Sequence, residues 1–308
     1  MKKVRYCFLI LHYKDAEMTE RTVASIVSLD DLNTYMIVIV DNASPDQSGA
    51  LLEKKYENSA NICLIKANEN EGFSKGNNLG YQFIKENFLP QFLICANNDV
   101  QFHQKDFLMK LEQLYQKQLF YVCGPDIYIP WRDFHSNPLS RGVEQYTLIK
   151  VQNEVQEINK TLVSCNKIFS FKIFKLHLAQ KARKHIFMQK IYKVIRKIQN
   201  RADYRSMCEN VILRGACLIF DKRFIEKNSK LFEPETFLYG EEVILGIRCK
   251  RNNWNMVYFP ELGVNHLHEG NSNLGNLSYK KFCEYLAKKI EYQKEAFHIL
   301  EKYIKDGK

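Results

Sequence analysis

The feature that most constrains this chain is a rhythm in its first third: short, wholly apolar runs alternate with segments of helical period. Val4–Leu11 and Tyr35–Val40 (YMIVIV) are apolar almost throughout, and Ile62–Lys66, Phe92–Ala96 and the short Phe120–Cys123 repeat the theme. Strands without polar alternation have to be covered on both faces, which implies a parallel sheet between two layers of helices. The intervening segments supply those helices. Met18–Leu29 carries Val23, Ile26 and Val27 at helical spacing, and Gln47–Tyr56, Lys75–Lys85 and Lys105–Lys117 also read as helices. The expected class is α/β, and in such sheets ligands bind beyond the carboxyl ends of the strands.

The rhythm breaks near Pro125, and residues 126–206 read as a loop-rich and then basic stretch. Strand pattern returns at Ile212–Phe220 and Met256–Phe259. A long helix over Tyr279–Ile304 follows, with an apolar stripe at Phe282, Leu286, Ile290, Phe297 and Leu300.

Charge is concentrated in one place. Between Lys167 and Arg205 there are twelve Lys/Arg and one acid, Asp203, so this segment carries +11 of a net +10 and the remainder sums to about −1. Basicity this local belongs to a partner-binding segment rather than to the fold. Within it Phe187, Ile191, Val194, Ile195 and Ile198 share one helical face, while Lys190, Lys193, Arg196 and Lys197 occupy the others. A basic helix with an apolar face suits a membrane surface carrying anionic lipid, or equally an ordinary helix packed on its own domain. Nucleic acid is excluded as a partner, because no recognised module and no basic–aromatic stacking platform is present.

The nine cysteines include no C-x-x-C pair, and several fall in apolar runs, so they read as core residues in a reducing compartment. The apolar stretch after Met1 is too short for a signal peptide, and no run reaches the ~20 residues of a membrane span. The expectation is a cytoplasmic protein whose membrane contact is peripheral.

Four loops at strand ends carry the chemistry. His12-Tyr13 and Asp41-Asn42-Ala43-Ser44 follow the first two strands; a carboxylate there can bond ribose or base and an aromatic can stack, although Asp, Asn and Ser also serve as turn residues. Asn70–Gly80 (NEGFSKGNNLG) spaces glycines four apart, allowing close backbone approach at a helix start. It is neither a P-loop nor the dinucleotide fingerprint. Asn97-Asn98-Asp99 places a carboxylate at the mouth of the sheet, a suitable oxygen ligand for a hard divalent cation. Glu241-Glu242 opens a helical pattern, where acids suit the positive dipole end, and the Asn265-His266-Leu267-His268 loop follows a strand.

In order, the motifs ILHYKD, VIVDNAS, NEGFSKGNNLG, NND, RGACLIF, FLYGEE and NHLHEGNS resemble family 2 glycosyltransferases, of the rhamnosyltransferase-like and galactofuranosyltransferase-like branch that builds bacterial surface polysaccharides. They cover most of residues 4–272, leaving out about 126–206. The resemblance implies a GT-A fold: a Rossmann-like nucleotide-binding mixed sheet flanked by helices, here with a basic helical insert and a long C-terminal helix. It divides the chain into a nucleotide-sugar-binding half (1–125), the insert (126–206), an acceptor and catalytic half (207–275) and the C-terminal helix (276–308). It implies that Tyr13, Asp41, Asn42, Gly72, Phe73, Lys75, Gly76, Asn77 and Asn98 surround the nucleotide-sugar. Asp99 and His266 would hold Mg²⁺ or Mn²⁺ with the diphosphate. Glu242 would be the catalytic base with Glu241 beside it.

Three positions depart from the family pattern. Glu242 stands where Asp is commoner, Ile244 stands where an acid is common, and Asn97 replaces the first acid of the metal motif, leaving one carboxylate ligand. The implied reaction is inverting transfer of a hexosyl or deoxyhexosyl unit from a nucleoside-diphosphate sugar to a hydroxyl of a saccharide acceptor, itself free or linked to polyprenyl diphosphate. Lys167–Arg205 would bring the enzyme to the inner face of the cell membrane, and a homo-oligomer stays open. A sugar nucleotidyltransferase would need a glycine/arginine phosphate loop early in the chain, and residues 12–20 contain neither residue. The alternative is a non-catalytic relative that binds nucleotide-sugar as a scaffold or regulator.

Overall fold

The structure is a computed structural model, and it describes residues 1–143, 148–165, 204–267 and 277–307. The apolar runs form β1 (Lys2–His12), β2 (Tyr35–Asp41), β3 (Ile62–Lys66) and β4 (Phe88–Asn97), connected by α1 (Ala16–Val27), α2 (Ser48–Tyr56) and α3 (Gly72–Asn87). Then come β5 (Val100–Gln101), α4 (Phe107–Lys117), β6 (Val122–Ile129), a 3-10 turn at Pro130–Arg132 and β7 (Phe134–His135). α5 (Leu148–Cys165), β8 (Cys208–Glu209), β9 (Cys217–Asp221), α6 (Lys222–Lys227), α7 (Glu241–Arg251), β10 (Met256–His266) and α8 (Tyr279–Lys305) complete it.

Among the described residues the strands form one sheet in the order β3-β2-β1-β4-β9-β6-β10-β5, with β7 beside β6 and β8 beside β10. β1 lies parallel to β2 and β4, and β6 parallel to β10. The sheet is nevertheless mixed, not all-parallel as the apolar runs alone imply. β9 runs antiparallel to both β4 and β6, because the chain returns from the 126–206 stretch at the edge where β4 ends.

Residues alternate between two cores, as the twofold period of a strand requires. Tyr6, Phe8 and Ile10 of β1 pack with Val23 and Ile26 of α1 and Phe107, Leu108 and Leu111 of α4. Cys7 and Leu9 face the other way, with Tyr81 and Ile84 of α3, Phe224 of α6 and Leu245 and Cys249 of α7. Each such fully buried Leu, Ile or Phe contributes roughly 1.5–3 kcal/mol.

Three elements differ from the sequence reading. β6 does not stop at Cys123 but runs through Pro125 to Ile129. Its partner β10 shifts register between Phe259, opposite Pro125, and Gly263, opposite Asp126, so the missing proline N–H falls where the ladder is already interrupted. The strand expected over Ile212–Phe220 pairs only from Cys217; before it, Ile212 makes an isolated bridge to Ser140 and Arg214 N donates to Asn137 Oδ1 at 3.0 Å. The stretch read as loop-rich contains α5, whose Val151 is buried against Val243, Ile244 and Ile247 of α7 and Leu300 of α8. The basic segment beginning at Lys167 lies outside the described residues as far as Asp203, and with it the amphipathic pattern over Phe187–Ile198. No described helix is long and apolar enough to cross a membrane.

Candidate active site

Since β1, β2, β4, β6 and β10 point the same way, their carboxyl ends and the start of β9 share one edge of the sheet. On the β1–β2 side the chain builds a tightly bonded cradle. Asp41 ends β2; its Oδ1 accepts from Ser44 N at 3.0 Å, and its carboxylate lies over Gly49 in the first turn of α2, where a Cβ would come within 1.8 Å of Oδ2. His12 is fully buried, with Nδ1 at 2.7 Å from Thr19 Oγ1 and Nε2 at 2.8 Å from Ser48 Oγ. Burial lowers its pKa against the opposing pull of Asp41, Asp46 and Asp15. The next residue, Tyr13, is exposed, with Lys14 Nζ 5.0 Å from its ring centre.

Asn42 organises the glycine loop. Its Nδ2 donates to Asn70 Oδ1 (3.1 Å) and Gly72 O (3.0 Å), while Oδ1 accepts from Glu71 N at 3.0 Å. Gly72 has φ +70°, and a Cβ there would lie 2.3 Å from Phe237 O, so both conformation and closeness require glycine. Phe73 N donates to that same carbonyl at 2.6 Å. Lys75 is exposed, 3.8 Å from Glu71. Gly76 lets α3 approach Leu11, whose Cδ1 would be 2.7 Å from an added Cβ.

Asn77 is not brought to this surface. It is 1% exposed, its Nδ2 donates to Phe73 O and its Oδ1 accepts from Cys95 Sγ, so it braces α3 against β4. The neighbouring Asn78 also turns inward, donating to Phe232 O and Glu235 and accepting from Leu231 N and Phe232 N. Asn98 ties the end of β4 to α1, through Thr19 Oγ1 at 3.1 Å and Thr22 Oγ1, which donates to its carbonyl.

Asp99 and His266 meet. β5 pairs with the end of β10, setting Val100 opposite His266, and Leu267 N donates to Asp99 O at 2.9 Å. This brings Asp99 Oδ1 to 3.0 Å from His266 Nε2. The approach is not a well-directed hydrogen bond, since Asp99 Oδ1 is buried without a hydrogen-bond partner; His266 Nδ1, on the other side of the ring, is buried without one too. A carboxylate oxygen and an imidazole nitrogen converging in this way suit a shared divalent cation. Among the described residues no third His, Cys, Asp or Glu joins them, so further ligands would come from substrate or water. His268 lies outside the described residues.

Glu241 and Glu242 open α7 after Gly240, whose φ of +83° makes the turn into the helix. Glu242 Oε1 accepts from Gly215 N at 3.3 Å. Gly215 precedes Ala216, whose carbonyl accepts from Asn97 N at 3.0 Å, so the loop entering β9 spans the space between Glu242 and the Asn97–Asp99 strand end. Glu241 is buried, and its carboxyl is held well above the usual range by burial first and by Glu242 second. The sequence reading took RGACLIF only as a strand and missed the Gly215 N–H; a glycine and an alanine just before a buried run were the available signal. Thr236 and Ser74, which bond near Glu241, carried none.

The model of glycosyl transferase family 2 matches residues 7–178, more than half of the chain. The chain belongs to glycosyl transferase family 2. For this family 2 chain the match extends into the stretch that the motif resemblance leaves out, and ends before Glu242 and His266. Among solved structures, a mannosyltransferase from Pyrobaculum calidifontis in complex with GDP-Man and Mn²⁺ is 10% identical, with a TM-score of 0.51 over 99% of this chain and 72% of that one. S. aureus TarS is 13% identical, with a TM-score of 0.52 over 86% of this chain and 37% of that one. This chain spans 60% of a TarS 1–349 structure and 66% of the one in complex with UDP-GlcNAc, at TM-scores of 0.48 and 0.49. At these identities the likeness concerns the fold, which is GT-A. No match is found among curated proteins.

Proposed function

We propose that this family 2 chain transfers a hexosyl or deoxyhexosyl unit from a nucleoside-diphosphate sugar to a hydroxyl of a saccharide acceptor, with inversion. The observation that carries this reading is the meeting of Asp99 and His266 at the sheet edge that also holds Glu242. The neighbour solved with GDP-Man and Mn²⁺ is consistent with such a donor.

Each group has a role that its surroundings suit. The resemblance puts Asp41 and Tyr13 beside base and ribose, and the loop held by Asn42 leaves Lys75 exposed on the donor side. Asp99 and His266 would hold the divalent ion, and an imidazole in the pair favours Mn²⁺ over Mg²⁺. When bound, the ion supplies charge neutralisation for the departing diphosphate. Glu242 takes the proton from the acceptor hydroxyl as that oxygen attacks the anomeric carbon from the face opposite the leaving group. General-base catalysis of this kind is typically worth about 10²–10⁴ in rate. The resemblance to rhamnosyl- and galactofuranosyltransferases motivates a role in bacterial surface polysaccharide synthesis. The +11 charge of Lys167–Arg205 motivates a polyprenyl-diphosphate-linked acceptor and peripheral contact with the inner face of the membrane.

The test is a thermal-shift screen of UDP-, GDP- and dTDP-sugars with Mn²⁺, followed by turnover of the stabilising donor with lipid-linked acceptors. Glu242→Gln is expected to bind that donor normally and to lose about 10²–10⁴-fold in turnover. Near-normal turnover would remove Glu242 from the role of base. Donor binding by the native chain without any transfer would favour the scaffold or regulator reading.

A further inference from the structure

Glu241 and Glu242 are neighbours in sequence with different surroundings. Glu242 looks out toward Gly215 at the sheet edge, whereas Glu241 turns inward and is 6% exposed. Its Oε2 accepts from Thr236 Oγ1 at 3.2 Å. Thr236 is itself buried, and its hydroxyl lies 3.2 Å from the fully buried Ser74 Oγ. Ser74 belongs to the first turn of α3 and Glu241 to the first turn of α7, so three buried side chains join two helix starts that are far apart in sequence. Alongside them runs the backbone bond from Phe73 N to Phe237 O, at 2.6 Å.

An apolar side chain would be far cheaper to bury in this place than a carboxyl, unless the polar group is needed to make a specific connection. The titratable groups that bear on Glu241 are Glu242 on its own helix and Tyr239 in the turn before it. Burial first, and Glu242 second, push the Glu241 carboxyl well above the usual range, which favours its neutral form beside Glu242. Its position, one residue before Glu242, makes it a handle on the turn from which Glu242 projects.

We propose that Glu241 is a positioning residue which, with Thr236 and Ser74, clamps the turn carrying Glu242 to the turn carrying the Gly72–Lys75 loop. The base and the donor-side loop are then held as one rigid unit, and the distance between acceptor oxygen and anomeric carbon is set by the clamp. The catalytic part of this inference rests on Glu242 being the base; the mechanical part stands on the structure alone.

The two parts are tested separately on the full chain. Hydrogen exchange is measured over residues 72–77 and 240–246. Thr236→Val is expected to speed exchange of both segments together, by about 10-fold, and Thr236→Ser to restore protection. Ser74→Ala breaks the far end of the same connection if Thr236→Val does not fold. Loosening of only one segment, or of neither, overturns the clamp whether or not any activity is found. With a donor and acceptor that the native chain turns over, Glu241→Ala is expected to lower kcat about 30-fold with acceptor KM little changed, since misplacement of a reacting group by about 1 Å can cost 10²-fold. Glu241→Gln, neutral and still able to accept from Thr236, is expected to recover kcat to within about 3-fold of the native value. A Glu241→Gln variant as inactive as Glu242→Gln would make Glu241 part of the chemistry and overturn a positioning role. Absence of turnover by the native chain with every donor would count against the transfer reading alone, and the exchange result would still decide the clamp.

Discussion

On the β1–β2 side of the active-site edge, the polar side chains are answered by the chain itself. Both ring nitrogens of His12 are bonded, all the hydrogen-bonding atoms of the Asn42 amide head are engaged in holding the glycine loop, and Asp41 is braced by Ser44 N. On the β4–β10 side, Asp99 Oδ1, 3.0 Å from His266 Nε2, is buried with no hydrogen-bond partner, and so is Nδ1 on the other side of that ring. Leaving buried polar groups unanswered costs about 1–3 kcal/mol each, so such groups persist where something beyond the fold uses them. The first side is a preformed cradle; on the proposed function, the second is completed by what binds there.

The difference makes predictions that could break it. The largest effect is expected from Asp99→Asn, which should cost about 10²-fold in turnover without lowering Tm, because the carboxylate it replaces contributes little to the fold. A large fall in Tm with turnover preserved would mean that Asp99 is a structural residue. Asn42→Leu should behave in the opposite way: three bonds to the 70–72 loop are lost, and a stability loss of about 3 kcal/mol in urea unfolding is expected, with donor affinity weakened as a consequence. Unchanged stability would show that the loop is held without it. The smallest effect is expected at His12. Its folded pKa is depressed below the ordinary 6.5, so between the two values the unfolded chain takes up a proton that the folded chain refuses. The stabilising contribution of the neutral ring is therefore complete above 6.5 and is lost as pH falls through the folded value. Urea midpoints measured from pH 8 to pH 5 should fall less steeply in His12→Gln than in the native chain; equal slopes would place the pH dependence elsewhere.

The parts of the molecule that the sequence made legible are those governed by local pattern. β1 to β4 and the helices between them follow from uninterrupted apolar runs and a 3.6-residue period. Asp41, Asp99 and His266 stood out as polar residues ending or following such runs, and Glu242 as one of two acids opening a helical pattern. The antiparallel return of β9 was not legible, because a buried run of five residues looks the same in either direction. The inward turn of Asn77 was hidden for a similar reason: amid Gly, Asn and Lys it resembles a ligand contact, and only the rotation of α3 against Cys95 decides otherwise. α5 carries Leu148, Val151, Val155, Ile158 and Leu162 at helical spacing, a pattern that the loop-rich reading after Pro130 and Pro138 passed over; its burial comes from α7 and α8, distant in sequence.

The placement of β9 has a mechanical consequence. Many enzymes that join two substrates close like a jaw about a flexible connection between lobes. Here the segment that leads to Glu242 is stitched into the middle of the sheet, antiparallel to β4 on one flank and to β6 on the other. Opening such a molecule along that seam would mean tearing a ladder in its interior. On the proposed function, whatever admits the donor and releases the nucleotide has to happen above the sheet, in the connections at its rim.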